Sequence, residues 1–160
     1  MFGYSQQYAA LRAKQLAQPR PLGSVAEIRF EGLERSNPEV LRSLVGEVNE
    51  AASVGVLDGA DVAYVERVQA GLVRLGVDVR VGSRIPAYCS AIGLAILAYL
   101  PKDEQSRVLA LKPRVKLTPR TVTDLKEIHA RLAKVRRAGY IVVDQEITTG
   151  LRALAERERF

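Results

Sequence analysis

Cys89, in the run Ile85-Pro86-Ala87-Tyr88-Cys89-Ser90, is the chain's single thiol. A thiol becomes a nucleophile when a neighbouring base or cation favours the thiolate, and neither a histidine nor a second cysteine stands near it in sequence. A small buried side chain is the expectation. His129, the single histidine, lies beside a Leu125/Leu132 stripe on a helix with mostly basic neighbours, which suits a flanking residue better than a general base. Arg84, in the turn Gly82-Ser83-Arg84-Ile85-Pro86, can grip a carboxylate through two parallel hydrogen bonds or simply point into water. The loop Lys112-Pro113-Arg114-Val115-Lys116 can lie against DNA or an acidic partner, but no aromatic residues alternate with its cations to stack on bases. There is no glycine-rich phosphate loop, no Gly-x-Ser-x-Gly elbow and no His/Cys metal spacing. No catalytic residue, metal site or cofactor is therefore expected, and an enzyme reading lacks a titrating group to support it.

The elements that hold these residues follow from periodicity. With 160 residues, 48% of them hydrophobic, the chain can build one core of ordinary size, which predicts a single α/β or α+β domain. The first 37 residues read as a linker or N-terminal arm, with a short helix over about Gln6 to Gln18 and a breaker cluster at Gln18-Pro19-Arg20-Pro21-Leu22-Gly23. A helix is predicted from Asn37, as cap, to about Glu50, with Val40, Leu41, Leu44, Val45 and Val48 on its apolar stripe. The pattern then changes to period two. Ser53 to Leu57 and Val62 to Gln69 flank Asp58-Gly59-Ala60-Asp61, a strong hairpin signal, and Val73 to Val81 alternates apolar and polar residues as a further extended stretch. Ser90 caps a buried helix reaching Leu100 and stopped by Pro101. Thr123 can cap another, with Leu125, Ile128, Leu132 and Val135 inward, basic residues in its last turn and Gly139 at its end. Ile141-Val142-Val143 starts a strand, and Gly150 to Ala155 supplies one more.

The formal charge of +6 is local. Lys102 to Arg137 carries 11 Lys or Arg against 4 Asp or Glu, and the rest of the chain is balanced at 13 against 14. A solvated basic helix and loop explains this more simply than a nucleic-acid groove. No uninterrupted apolar run is long enough to cross a membrane, no secretory leader is visible, and a single cysteine permits no intramolecular disulfide. A soluble, cytoplasmic protein is expected.

Several segments, taken in order, resemble the effector-binding domain of IclR-type bacterial transcription regulators. Val56-Leu57-Asp58-Gly59 with Val62-Ala63-Tyr64-Val65-Glu66-Arg67-Val68 is similar to the family's first hairpin. Arg80 to Gly93 is similar to its strand, turn and pocket-helix start; Leu117-Thr118-Pro119-Arg120-Thr121-Val122-Thr123-Asp124, Arg137-Ala138-Gly139-Tyr140 and Asp144-Gln145-Glu146 to Gly150-Leu151-Arg152 continue the series. The resemblance covers roughly Pro38 to Ala155 and lies nearest the branch governing aromatic-acid catabolism. It implies an α+β domain over residues 38–160, an antiparallel sheet flanked by helices of the GAF/profilin-like kind. It further implies sensing of a small, aromatic carboxylate effector, pairing with copies of itself or with a full-length regulator, and contact with DNA only through a separate winged helix-turn-helix.

Carried over position by position, the resemblance assigns effector binding to Ser90, Ala91 and Ile92 at the helix start, and to Val143, Asp144, Leu151 and Ala153 on the later strands. Backbone N–H groups at a helix N-terminus attract a carboxylate, and small side chains permit close approach. The plainer alternative is that Ser90 only caps, Ala91 and Ile92 only pack, and Asp144 is a solvated turn residue. The chain departs from the family at Leu94, where a basic residue is frequent. It also shows no winged helix before Pro38 and stops at Glu156-Arg157-Glu158-Arg159-Phe160, where the family continues with further strands and a closing helix. The rival expectation is a truncated remnant whose incomplete sheet leaves an open edge.

Overall fold

A computed structural model describes residues 28–30, 38–69 and 79–156. The helix over Gln6 to Gln18, the breaker cluster, the Asn37 cap and most of the extended stretch from Val73 lie outside the described residues. Within them the order is β1 (Ile28–Phe30), α1 (Pro38–Val48), β2 (Ala52–Asp58), β3 (Asp61–Val68), β4 (Arg84–Pro86), α2 (Ala91–Leu97), α3 (Lys102–Ala110), α4 (Leu125–Ala138), β5 (Tyr140–Asp144) and β6 (Arg152–Glu156). This is the expected α+β class. Antiparallel ladders join β2 to β3, β3 to β4 and β5 to β6. β1, in the stretch read as an arm, pairs in parallel with β2 and lies beside β6.

The hairpin forms where Asp58-Gly59 foretold it. Gly59 takes φ 62°, which a residue without Cβ adopts without strain, and Asp58 pairs with Asp61 across the turn. Val54 opposes Glu66 while Gly55 opposes Tyr64, so Val65 is the extra residue of a bulge. A Cβ on Gly55 would stand 2.5 Å from Ile92 Cδ1 and 2.7 Å from Val62 Cγ1. That glycine lets the start of α2 press onto the sheet.

Strand alternation sorts the apolar residues into two layers. Leu41, Leu44, Val45 and Val48 of α1 pack with Ala52, Val54 and Leu154 on one face. The larger cluster gathers α2, Ile128, Leu132 and Val135 of α4, and Ile141, Val143, Ala153 and Ala155 on the other. Helices thus cover both faces of the strands.

Three local expectations are corrected. α2 keeps helical hydrogen bonding only to Leu97, after which Tyr99 and Leu100 make tighter turns to Ile96 and Leu97, and Pro101 leads into α3, a helix that the sequence pattern did not single out. Asp124, not Thr123, caps α4, accepting from Glu127 N at 2.9 Å; both types cap well, and the Thr123 carbonyl instead receives Arg114 Nε at 2.9 Å. At the described end of the stretch predicted to reach Val81, the shared apolar face is not kept. Val79 is buried but Val81 is 62% exposed, because the chain turns at Gly82, φ 90°.

Candidate functional site

The residues assigned to effector binding divide by strand register. Val143 and Ala153 are opposite partners on β5 and β6 and share one buried cluster with Ala91 and Ile92. Asp144, the next residue along β5, projects to the opposite face. Its carboxylate receives Arg152 Nε at 2.7 Å, Gln145 Nε2 at 3.3 Å and an ion pair from Arg120. The Arg152 hydrogen bond comes first among the influences holding the Asp144 carboxyl below its ordinary range. Leu151 is half-buried just before β6, its carbonyl accepting from Gln145 N at 2.7 Å. The structure therefore brings together Ala91, Ile92, Val143 and Ala153, with Ser90 adjoining them, and sets Asp144 apart.

Ser90 is fully buried, and its Oγ accepts from Gly93 N at 3.1 Å, which is the capping role. Cys89 is buried beside it. Burial, and next the neighbouring Glu146 carboxylate, push its thiol up to about 12. Such a thiol carries almost no thiolate near neutrality. Iodoacetamide at pH 8 is expected to leave Cys89 unmodified in the folded chain and to alkylate it within minutes in urea; comparable rates in both states would place the thiol at the surface.

The turn joining β5 to β6 is anchored by residues to which the sequence reading gave no role. Glu146 is buried and forms a two-pronged pair with Arg131, Nη1 to Oε2 at 3.0 Å and Nη2 to Oε1 at 2.5 Å. Thr118 Oγ1 donates to the Gln145 carbonyl and Thr121 Oγ1 to the Glu146 carbonyl, each at 2.6 Å. Gln145 stands at φ 59° and its Oε1 accepts from Gly150 N at 3.0 Å. Arg131 was hidden among the cations of a basic helix, and only the Thr-Pro-Arg-Thr run hinted at the rest.

Arg84 is spoken for: it pairs with Asp58 and reaches Asp61 at 4.0 Å, tying β4 to the hairpin turn. His129 borders a shallow groove with Leu125 and Arg114. Among the described residues no cluster of His, Cys, Asp and Glu is arranged to hold a metal ion, and no helix is long and apolar enough to cross a membrane.

Comparison with known proteins agrees with this architecture. Residues 29–156 match the family described as bacterial transcriptional regulator IclR C-terminal. The Pca regulon regulatory protein of Pseudomonas putida is 35% identical over 109 residues, covering 68% of this chain and 38% of that protein. A transcriptional regulator from Rhodococcus sp. RHA1 superposes with a TM-score of 0.70 at 40% identity, covering 74% of this chain and 48% of that one. An IclR homolog of Microbacterium hydrocarbonoxydans, solved with 4-hydroxybenzoate, gives 0.63 at 26% identity over 88% of this chain and 49% of its own. The chain thus spans less than half of each of these relatives. It belongs to the IclR C-terminal family, a family of transcriptional regulators and not of enzymes.

Proposed function

We propose that this chain is the sensing and oligomerisation module of a transcription regulator, read as residues 38–160 with β1 joining its sheet, and that it binds a small aromatic carboxylate. The observation that carries this reading is the meeting of the first turn of α2 with β5 and β6 in one apolar cluster. Ala91, Ile92, Val143 and Ala153 supply its small and aliphatic walls, the setting in which a ring can be buried while a few polar groups orient it. Ser90 fixes the helix start and Leu151 stands at the turn next to β6, while Asp144, on the opposite face with Arg152 and Arg120, acts on the site only by anchoring that turn. The 4-hydroxybenzoate bound to the Microbacterium relative supports the ligand class. Ligand binding then acts by shifting the arrangement of subunits, with the ligand released unchanged. Copies of this module or a full-length regulator are its partners, a separate winged-helix domain contacts the operator, and the cytoplasm is its compartment.

Thermal unfolding with a panel of aromatic acids tests the reading. A ligand at 100 times its dissociation constant stabilises the native state by about 2.7 kcal/mol, a shift of several degrees for a domain of this size. We expect 4-hydroxybenzoate or protocatechuate to produce it, and Ala153→Leu, which fills the site, to abolish it. A cooperative melt indifferent to every acid would sink the effector assignment, and turnover of an acid would sink the sensor reading.

A further inference from the structure

A cavity of about 140 Å³ lies away from the α2–β5–β6 cluster, between the hairpin turn, Pro86 to Tyr88, α3 and the loop Lys112 to Leu117. That volume is close to the roughly 150 Å³ in which an apolar protein cavity holds one benzene ring. Its wall is fixed by polar anchors. The Tyr88 phenol donates to the Val115 carbonyl and accepts from Val115 N, the latter at 2.9 Å. Arg114 donates to the Leu109 carbonyl at 2.7 Å and to that of Thr123 at 2.9 Å. These bonds hold the loop open over the cavity while its own apolar side chains stay in water, Val115 at 58% and Leu117 at 45% exposure.

Two charged side chains line the cavity, Lys112 and Asp61. Lys112 lines the cavity and donates to Asp61 Oδ2 at 2.6 Å, yet an ammonium has three N–H donors, and Asp61 takes one. Asp61 also has Arg84 4.0 Å away, although the closer partner of that guanidinium is Asp58, so the surplus positive charge comes from the loop. The loop itself carries Lys112, Arg114 and Lys116 and no acid. We infer that this cavity is a second small-molecule site, which takes a monocyclic carboxylate with its ring against Ala87, Leu109 and Leu117 and its carboxylate on Lys112.

Titration of the isotopically labelled 160-residue chain with benzoate, followed by heteronuclear NMR, tests this. Saturable shifts are expected at Ala87, Leu109 and Leu117. Uncharged benzamide and the Lys112→Gln variant should each weaken binding about tenfold, the scale of one lost charge-assisted contact. Ala60→Phe, at the hairpin turn, should block the cavity, and Leu117→Trp at an exposed position is the second block if the first unfolds. The site persists in Ala153→Leu, which keeps this result separate from the effector assignment. Shifts confined to Ala91, Val143 and Ala153 would overturn this inference while leaving that assignment standing. Benzamide binding as tightly as benzoate, or insensitivity to both blocks, would overturn it too.

Discussion

Gly93→Ala is expected to destabilise the domain by about 3 kcal/mol or more, lowering the melting temperature by roughly 6–12 °C. A Cβ at this position would stand 2.2 Å from the Ala87 carbonyl oxygen, 2.3 Å from its Cα and 2.6 Å from its carbonyl carbon. All three obstacles are backbone, so no side-chain rotation relieves them. Relief requires α2 to lift from the Pro86–Tyr88 segment, and α2 is buried along its whole length, Ala91 to Leu97. The same lift would disturb Ser90, which caps that helix, and the contact of Ile92 with the sheet through Gly55. Binding of an aromatic acid at the proposed α2 site should therefore fall with stability. The control is Gly46→Ala in α1, where nothing lies within 4 Å of the added Cβ. There the methyl restricts the unfolded chain and suits the helix, and a gain of roughly 0.5–1 kcal/mol is expected. Melting the two variants side by side checks the argument; a Gly93→Ala chain as stable as the parent would mean that α2 and Ala87 are less tightly apposed than described.

What could be read from the sequence was what depends on neighbours in the chain. The Asp58-Gly59 turn declared the hairpin because its geometry is local, and the apolar stripes of α1 and α4 declared their buried faces, except that Leu125, expected inward in the first turn of α4, is 40% exposed. α3 did not declare itself: of Lys102-Asp103-Glu104-Gln105-Ser106-Arg107-Val108-Leu109-Ala110, only Gln105, Val108 and Leu109 are buried, too short a stripe to stand out from the surrounding charge. β1 pairs with a strand more than twenty residues further on, a parallel partnership with no local signature. For the candidate site, the resemblance chose positions without regard to faces, so Val143 and Asp144 entered together although adjacent strand residues point apart. Long-range polar anchors were the least legible, since nothing in either segment marks Arg131 as the partner of Glu146.

That pair carries the other large effect. Arg131→Met is expected to cost about 3–5 kcal/mol, because it strands a buried carboxylate whose remaining side-chain contact is Val122 N at 3.4 Å. The pair is well enclosed, with side-chain exposures of 18% for Arg131 and 7% for Glu146, so solvent cannot replace the guanidinium cheaply. Both prongs of the carboxylate are engaged, and the Glu146 carbonyl is separately held by Thr121. The turn that carries Asp144 and Leu151 is thereby set against α4, and its loss should loosen β6 as well. Replacing both members, Arg131→Met with Glu146→Leu, removes the stranded charge and should recover most of the loss, since an apolar pair can fill such a space without the desolvation of two ions. Urea midpoints of the two single variants and the double variant form a cycle that isolates the coupling. A single-variant loss below about 1 kcal/mol, the range of solvated surface pairs, would show that the pair is not buried as the structure has it; a double variant as unstable as the sum of the singles would show that the apolar pair leaves a void at the base of the turn.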